Sequence, residues 1–346
     1  MKQVVIGDWR GHPAAALFQD RQLIELEISP AAVAPLPPGT VCRAVVDRLV
    51  KGQGGVFLRL PEGQSGFLRT KSGLRQGQVL LVQVSGIAED GKAVPVSDRI
   101  LLRGRLGIVS IGAPGVNVSR SIKDPELRDE LTGALRPLLA EGDPGIIIRS
   151  AAAGAGSEAL TEELVPLLEL ARQLAADLSG GPETLLDAPE PAETAWQDWS
   201  DPAPDLFEDG PQAFEQTGAL DAIDALLDPR LDLGQGAFAY IEPTRAAICV
   251  DVNTGSDTSP AAALKANIAL ARDLPRQLRL RGLGGQVVID FAPVSKRDRG
   301  TIEQVIRSAA RPEGGALTVV GWTAMGLFEM TRKRDRVPLT RLAGRG

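Results

Sequence analysis

Two apolar stretches, each ending on an aspartate, constrain this chain more than any other feature. Residues 247–255 read AICVDVNTG and residues 286–293 read QVVIDFAP, so short apolar runs end at Asp251 and at Asp290. Between them lies SPAAALKANIALARDLPRQLRLRG, where Ser259 is placed to cap a helix, Pro260 to open it and Gly282 to end it. A strand–helix–strand unit of this kind makes a right-handed crossover and leaves its strands parallel. Parallel neighbours end at the same side of a sheet. Both aspartates are therefore expected at one carboxyl edge, where open α/β sheets bind ligands. The same runs predict Ile248, Cys249 and Val250 as buried strand residues.

Two carboxylates brought to one edge repel each other unless a proton or a cation sits between them. The single histidine, His12, precedes Pro13 in a polar N-terminal turn and reads as a surface residue. The two cysteines, Cys42 and Cys249, fall in apolar strands and read as reduced core residues. One histidine and two isolated cysteines cannot build a four-ligand zinc site. Histidine-based catalysis has little to work with, whereas Mg²⁺ held by Asp251, Asp290 and water molecules is the simplest occupant of the edge. Asn253 can donate to a phosphate oxygen, and Gly255 gives the following turn its freedom. Lys296, Arg297 and Arg299 follow the second acid and can neutralise phosphates. Taken singly, each aspartate reads more readily as a strand-end turn residue. Together with Asn253 and the basic run they point to metal-assisted phosphodiester hydrolysis.

The net charge of −6 argues against a nucleic-acid partner only until its distribution is examined. Residues 173–229 hold 14 acids and no lysine or arginine, which leaves 38 bases against 30 acids in the rest of the chain. From Lys265 to Arg345 there are 16 bases against 7 acids. A segregated acidic segment and a basic C-terminal third suit contact with phosphates. No apolar run reaches the roughly 18–20 residues that span a bilayer, and the N-terminus MKQVVIGDWRGH lacks the features of a signal peptide. A cytoplasmic location is expected.

The organisation follows from turn residues and periodicity. Residues 2–29 read as strands around turns, followed by the Pro-rich connector SPAAVAPLPPG. Five short strands then come in quick succession: TVCRAVVDRLV, GGVFLRL, SGFLRT, QVLLVQV and AVPVSD. That spacing suggests a small barrel of the OB type, a fold that binds single strands by stacking bases on exposed aromatics beside basic groups. Phe57 and Phe67 fall on adjacent predicted strands, with Lys51 and Lys92 near the same sheet. By composition alone both rings read more readily as barrel core. Residues 105–178 read as α/β, with helices over DPELRDELTGALRPLL and SEALTEELVPLLELARQLAADL, the second interrupted by Pro166. Residues 181–213, acidic and rich in proline, read as a loose and partly disordered excursion.

DVNTG (251–255), the helix ending in RQLRLRGLGG and VVIDF (287–291) closely resemble the catalytic domain of the ribonuclease E/G family. GLFEMTRKR (326–334) resembles the segment that closes that domain, and MKQVVIG and AALFQDRQLIELEI extend the resemblance to the N-terminus. The resemblance runs to about Leu339 and is weak between 180 and 235. It implies an α/β multidomain protein in which an OB-type barrel (37–100) is inserted after the N-terminal part (1–36) of an RNase H-like domain. A 5′-sensor region (101–180), a reduced RNase H-like segment (181–235) and a DNase I-like catalytic domain (236–346) follow. It implies a Mg²⁺-dependent endoribonuclease, with Mn²⁺ as substitute, that cuts single-stranded RNA in mRNA turnover and rRNA maturation and favours 5′-monophosphate ends. Asp251 and Asp290 would hold the metal, Asn253 would contact the scissile phosphate, and Phe57, Phe67 and Lys92 would contact RNA. Arg149, in IIIRSA, would grip the 5′-phosphate with Ser150 beside it, where the family has threonine.

Departures from the family pattern refine these expectations. Pro293 replaces the family's second acid after IDF, and Ala324 stands where a second sensor arginine is expected. The cysteines of the family's zinc link are missing, so zinc and a zinc-linked dimer are not expected, while other self-association stays open. These features describe a trimmed member with intact cleavage chemistry and weakened end-sensing and assembly. Two other readings compete. A catalytically weak RNA-binding protein of the same fold has no need of Asp251, Asn253 and Asp290 together, and a small-molecule phosphatase has no need of the barrel.

Overall fold

The structure is a computed structural model of the 346-residue chain and describes residues 1–50, 54–70, 73–89 and 91–344. Lys51 lies outside the described residues. The chain divides into two compact units: residues 1–21 with 27–210, and residues 22–26 with 211–346.

The first unit opens with β1 (Lys2–Trp9) and β2 (His12–Gln19), a hairpin whose ends meet at Trp9 and His12. His12 therefore lies in a strand, half-buried with its ring centroid 6.5 Å from that of Trp9, and is not a residue of a polar turn. After β3 (Gln22–Ile28) come β4 (Val41–Val50), β5 (Gly55–Arg59), β6 (Ser65–Arg69), β7 (Val79–Val84) and β8 (Val94–Ser97). The pairings β4–β5–β6–β8–β7 return to β4, closing a five-strand barrel consistent with the OB type. β6 and β8 pair in parallel and the other neighbours antiparallel. The barrel is filled by alternate residues such as Cys42, Val46, Leu58, Leu68 and Val82.

A third layer follows: β9 (Ile100–Arg103), β10 (Gly107–Ile111), β11 (Val116–Val118), α1 (Pro125–Leu135), β12 (Gly145–Ile148) and α2 (Ala152–Ala176). Asp124 caps α1 through the Glu126 amide at 3.0 Å, and Pro125 sets its first turn. α2 runs on through Pro166, which lies inside the helix without ending it, and buries Leu160, Leu164 and Leu168 against Val109, Ile146 and Ile148.

The acidic segment is ordered, contrary to the expectation from its composition. It contributes β13 (Glu183–Leu186), α3 (Pro191–Trp199) and β14 (Leu206–Asp209). β13 pairs with β4, and β14 pairs in parallel with β1 from Gln3–Leu206 to Ile6–Asp209. Glu190 and Glu193 form a capping box that starts α3, which packs Ala195 and Trp199 onto Val4 and Ala15. These long-range pairings supply the backbone hydrogen bonds and apolar burial that the segment cannot supply alone.

The second unit holds α4 (Ala213–Gln216), α5 (Ala219–Asp224), β15 (Arg230–Gly234), β16 (Ala237–Pro243), β17 (Ile248–Asn253), α6 (Pro260–Leu280), β18 (Gly285–Asp290), α7 (Lys296–Ala309), β19 (Leu317–Trp322), β20 (Phe328–Arg332) and α8 (Leu339–Leu342). The strands form one sheet in the order β15–β16–β17–β18–β20–β19, in which β17 and β18 are the parallel pair. Ser259 caps α6 through the Ala262 amide and Pro260 opens it. α6 and α7 bury Leu270, Leu274, Leu278, Ile302 and Ile306 against Ala239, Ile248, Val250, Val287 and Ile289. Each large aliphatic side chain so buried contributes about 1.5–3 kcal/mol.

Because residues alternate across a strand, this leaves a second face. Cys249, Asp251 and Asp290 are exposed while Ile248, Val250 and Ile289 are buried. Cys249 is thus not a core residue: it shares the open face with the acids, and only Cys42 is buried. Among the described residues no helix is long and apolar enough to cross a membrane.

Candidate active site and nucleic-acid surfaces

The parallel register of β17 and β18 sets Asp251 directly opposite Asp290, with Val250 opposite Ile289 behind them. Neighbouring strands lie about 4.8 Å apart, so the two carboxylates project from adjacent positions on the open face. The Asn253 amide donates to Oδ2 of Asp251 at 2.7 Å. Among the described residues neither aspartate makes an ion pair with lysine or arginine. Gly255 turns the chain away with φ of +69°, and a side chain there would collide with the Gly236 carbonyl.

A buried amide holds the loop that follows the second acid. Asn267, fully buried on α6, donates to the Ala292 carbonyl at 2.8 Å and accepts from the Ala292 amide at 3.0 Å. Ala292 is two residues past Asp290. Sequence reasoning passed over Asn267 because one polar residue on an amphipathic helix carries no sign of which backbone group it meets. Pro293, next in the chain, is exposed. Ser295 caps α7 through the Asp298 amide, and exposed Lys296 and Arg297 occupy the first turn. Arg299 differs from its neighbours, since its guanidinium lies over the Trp322 ring, 4.7 Å from the centroid.

In the first unit, Phe57 and Phe67 are cross-strand partners on β5 and β6. Both are half-buried and point away from the barrel interior, which Val56, Leu58 and Leu68 fill. The barrel-core alternative for these rings therefore gives way to an outer-face placement. Their centroids are 5.3 Å apart in an edge-to-face arrangement, and the Arg48 guanidinium lies 4.4 Å from the Phe57 centroid. Gly55 makes room for the Phe67 ring, since a Cβ there would meet it. Lys92 is exposed and pairs with Glu89 at 2.9 Å.

Arg149 leaves the end of β12 and is engaged on three sides. Its guanidinium donates to the carbonyls of Gly104 at 2.8 Å and Gln197 at 3.0 Å, and to Asp198 at 2.6 Å. Ser150 beside it is exposed. Arg103 reaches the same Asp198 carboxylate at 3.5 Å. Two arginines thus converge on one carboxylate, an arrangement that sequence spacing cannot show because Arg103, Arg149 and Asp198 are distant in the chain. Ala324, where sequence comparison expected a second sensor arginine, lies in an exposed turn between β19 and β20.

Fold and site together define a mixed α/β protein that combines a closed five-strand barrel with a two-acid sheet edge. The sequence matches the Ribonuclease E/G family over residues 102–206 and 203–335, and the chain belongs to that family. It is 28% identical to Ribonuclease E of Nostoc sp. over 99% of this chain and 57% of that protein. It is 26% identical to Ribonuclease E of Synechocystis sp. over 99% of this chain and 58% of that protein. Ribonuclease G of Escherichia coli is 27% identical over 76% of this chain and 61% of that protein. The chain thus spans under two thirds of the length of each of these relatives.

Proposed function

We propose that this chain is a Mg²⁺-dependent endoribonuclease that cuts single-stranded RNA in RNA processing and decay. One observation carries the reading: two carboxylates lie in register at the carboxyl edge of a parallel pair, without ion-pair partners among the described residues. The donor set suits a hard cation, because both groups offer oxygen and no histidine or cysteine ligand competes within the pair.

In this reading Asp251 and Asp290 hold Mg²⁺, or Mn²⁺ in its place, which when bound lowers the pKa of a water and offsets charge on phosphate. Asn253 fixes the rotamer of Asp251 and reaches the scissile phosphate. Lys296 and Arg297 offset further phosphate charge. On the barrel, Phe57 and Phe67 stack bases and Lys92 exchanges Glu89 for a phosphate. At the 5′ end, a terminal monophosphate takes the place of Asp198 between Arg149 and Arg103, with the Ser150 hydroxyl as a further donor. Arg103 then supplies a second arginine that Ala324 does not. In the same reading the β14–β1–β2 layer with α3 corresponds to a reduced RNase H-like domain, the β9–β12 layer to the 5′-sensor region, and the second unit to a DNase I-like catalytic domain.

The test is incubation with a 5′-monophosphorylated, A/U-rich single-stranded RNA, with Mg²⁺ or with EDTA. Internal cleavage that EDTA abolishes is the expected result. Binding without cleavage would establish the RNA-binding alternative, and phosphate release from small monoesters without RNA cleavage would establish the phosphatase.

A further inference from the structure

The open face of the second unit's sheet carries more than its acids. Cross-strand register builds it in rows. Asp251 on β17 faces Asp290 on one side and Tyr240 of β16 on the other, and Tyr240 in turn faces Arg230 of β15. The row nearer the edge runs from Asn253 to Phe238 to Asp232. β16 alternates cleanly, with Ala237, Ala239 and Ile241 buried under the helices while Phe238 is half-buried and Tyr240 exposed. Two aromatic rings thus stand one strand, about 4.8 Å, from Asp251 and Asn253.

The rings form a unit with a cation. Phe238 and Tyr240 meet edge to face, with centroids 5.6 Å apart and planes at 82°. The Arg230 guanidinium lies 4.5 Å from the Phe238 centroid, and among the described residues it makes no ion pair. An exposed aromatic, a second ring propping it edge-on and a cation without a carboxylate partner are the components with which proteins hold a single-stranded base and its phosphate. An aromatic pair on a solvated sheet face can also serve cross-strand packing alone. Packing alone, however, requires neither the exposure of Tyr240 nor a row shared with Asp251. Glu242 and Glu329 lie farther from the edge, in the row of Cys249 and Val288, so Arg230 is the cation that offsets the acids in the rows of Tyr240 and Phe238.

We infer that Phe238, Tyr240 and Arg230 form a nucleobase-stacking subsite for the RNA nucleotide flanking the bond cut at the Asp251–Asp290 row. The base lies on Tyr240, Phe238 fixes the tilt of that ring, and Arg230 meets the adjoining phosphate. The subsite rests on the proposed ribonuclease reading and adds to it a determinant of where along a single strand the cut falls.

The test uses the full chain and a single-stranded RNA decamer with a 3′ fluorophore, in EDTA so that no cleavage intervenes. Tyr240→Ala is expected to weaken binding about tenfold, Tyr240→Trp to retain it, and Arg230→Ala to lower the salt dependence by about one phosphate contact. 5-Iodouridine placed at successive positions is expected to photocrosslink to Tyr240, in the tryptic peptide 231–245, most strongly next to the cleaved bond. Circular dichroism confirms that each variant is folded. Unchanged affinity of Tyr240→Ala with crosslinks elsewhere overturns the subsite. So does a change of oligomeric state in that variant without a change in RNA affinity, which would make this face a contact between copies. Failure of the ribonuclease reading is distinguishable. If the parent binds through Tyr240 but never cuts with Mg²⁺, the subsite stands and hydrolysis falls; if Tyr240→Ala cuts as the parent does, hydrolysis stands and the subsite falls.

Discussion

Replacing Asn267 by leucine isolates the contact that holds the loop after Asp290. The substitution keeps the branching and the number of side-chain heavy atoms, so no cavity is added, and the bulkier methyl groups can only add to the loss. What it removes is two hydrogen bonds, one to the Ala292 amide and one to its carbonyl. Both backbone groups stay out of water, since Ala292 is only 5% exposed. A buried polar group left unpaired costs about 1–3 kcal/mol, so the pair predicts a loss of about 2–6 kcal/mol of stability. Asn267→Asp keeps an acceptor for the amide but sets a buried carboxylate against the carbonyl, so its loss at neutral pH should exceed that of leucine and shrink as acid protonates the group. Urea unfolding of the second unit reads both. The Asp290 end of β18 should loosen as well, so RNA cleavage should slow in kcat while RNA affinity in EDTA is unchanged. An Asn267→Leu protein that unfolds within about 0.5 kcal/mol of the parent and cuts at the parent rate would refute the reasoning.

Asp198→Ala should free Arg149 and Arg103 and widen the preference for 5′-monophosphorylated over 5′-hydroxyl RNA, whereas Arg149→Ala should abolish that preference and spare circular RNA; equal losses on all three substrates would make Arg149 a purely structural residue. Phe57→Ala and Phe67→Ala should each weaken single-strand binding by roughly tenfold, since a stacked base contributes about 1–3 kcal/mol; normal binding with early melting would return both rings to a packing role. A thiol reagent should label Cys249 in the native protein at once and Cys42 only after unfolding. Burial pushes the Cys42 thiol up to about 11, so raising the pH to 10 should leave it protonated and protected while the fold holds. Labelling at Cys42 in folded protein would contradict the closed barrel.

The strand–helix–strand unit was legible because each of its signals is local: Ser259 and Pro260 start α6, and the apolar runs stop at Asp251 and Asp290. The barrel was legible for the same reason, from five short strands with glycine-bearing turns. The faces of the strands were less so. Ile248, Cys249 and Val250 read as a continuous apolar run, yet the sheet is covered on one side only, and cysteine behaves as a small hydrophobe that tolerates either face. The acidic segment was misread because its order comes from partners some 200 residues away, such as Leu206 beside Gln3, which composition cannot reveal. Arg103, Asn267, Phe238 and Tyr240 gained meaning only from register and packing.

Cleavage by the two aspartate variants tests the central claim most directly. Asp251→Asn and Asp290→Asn each keep the shape of the side chain and remove its charge. Parent and variants are given the same 5′-monophosphorylated single-stranded RNA in millimolar Mg²⁺, and RNA binding is measured in parallel in EDTA. The account predicts that each variant loses cleavage by at least a hundredfold, the equivalent of about 2.7 kcal/mol in the barrier, while binding the RNA as the parent does. Undiminished cleavage by either variant would contradict it.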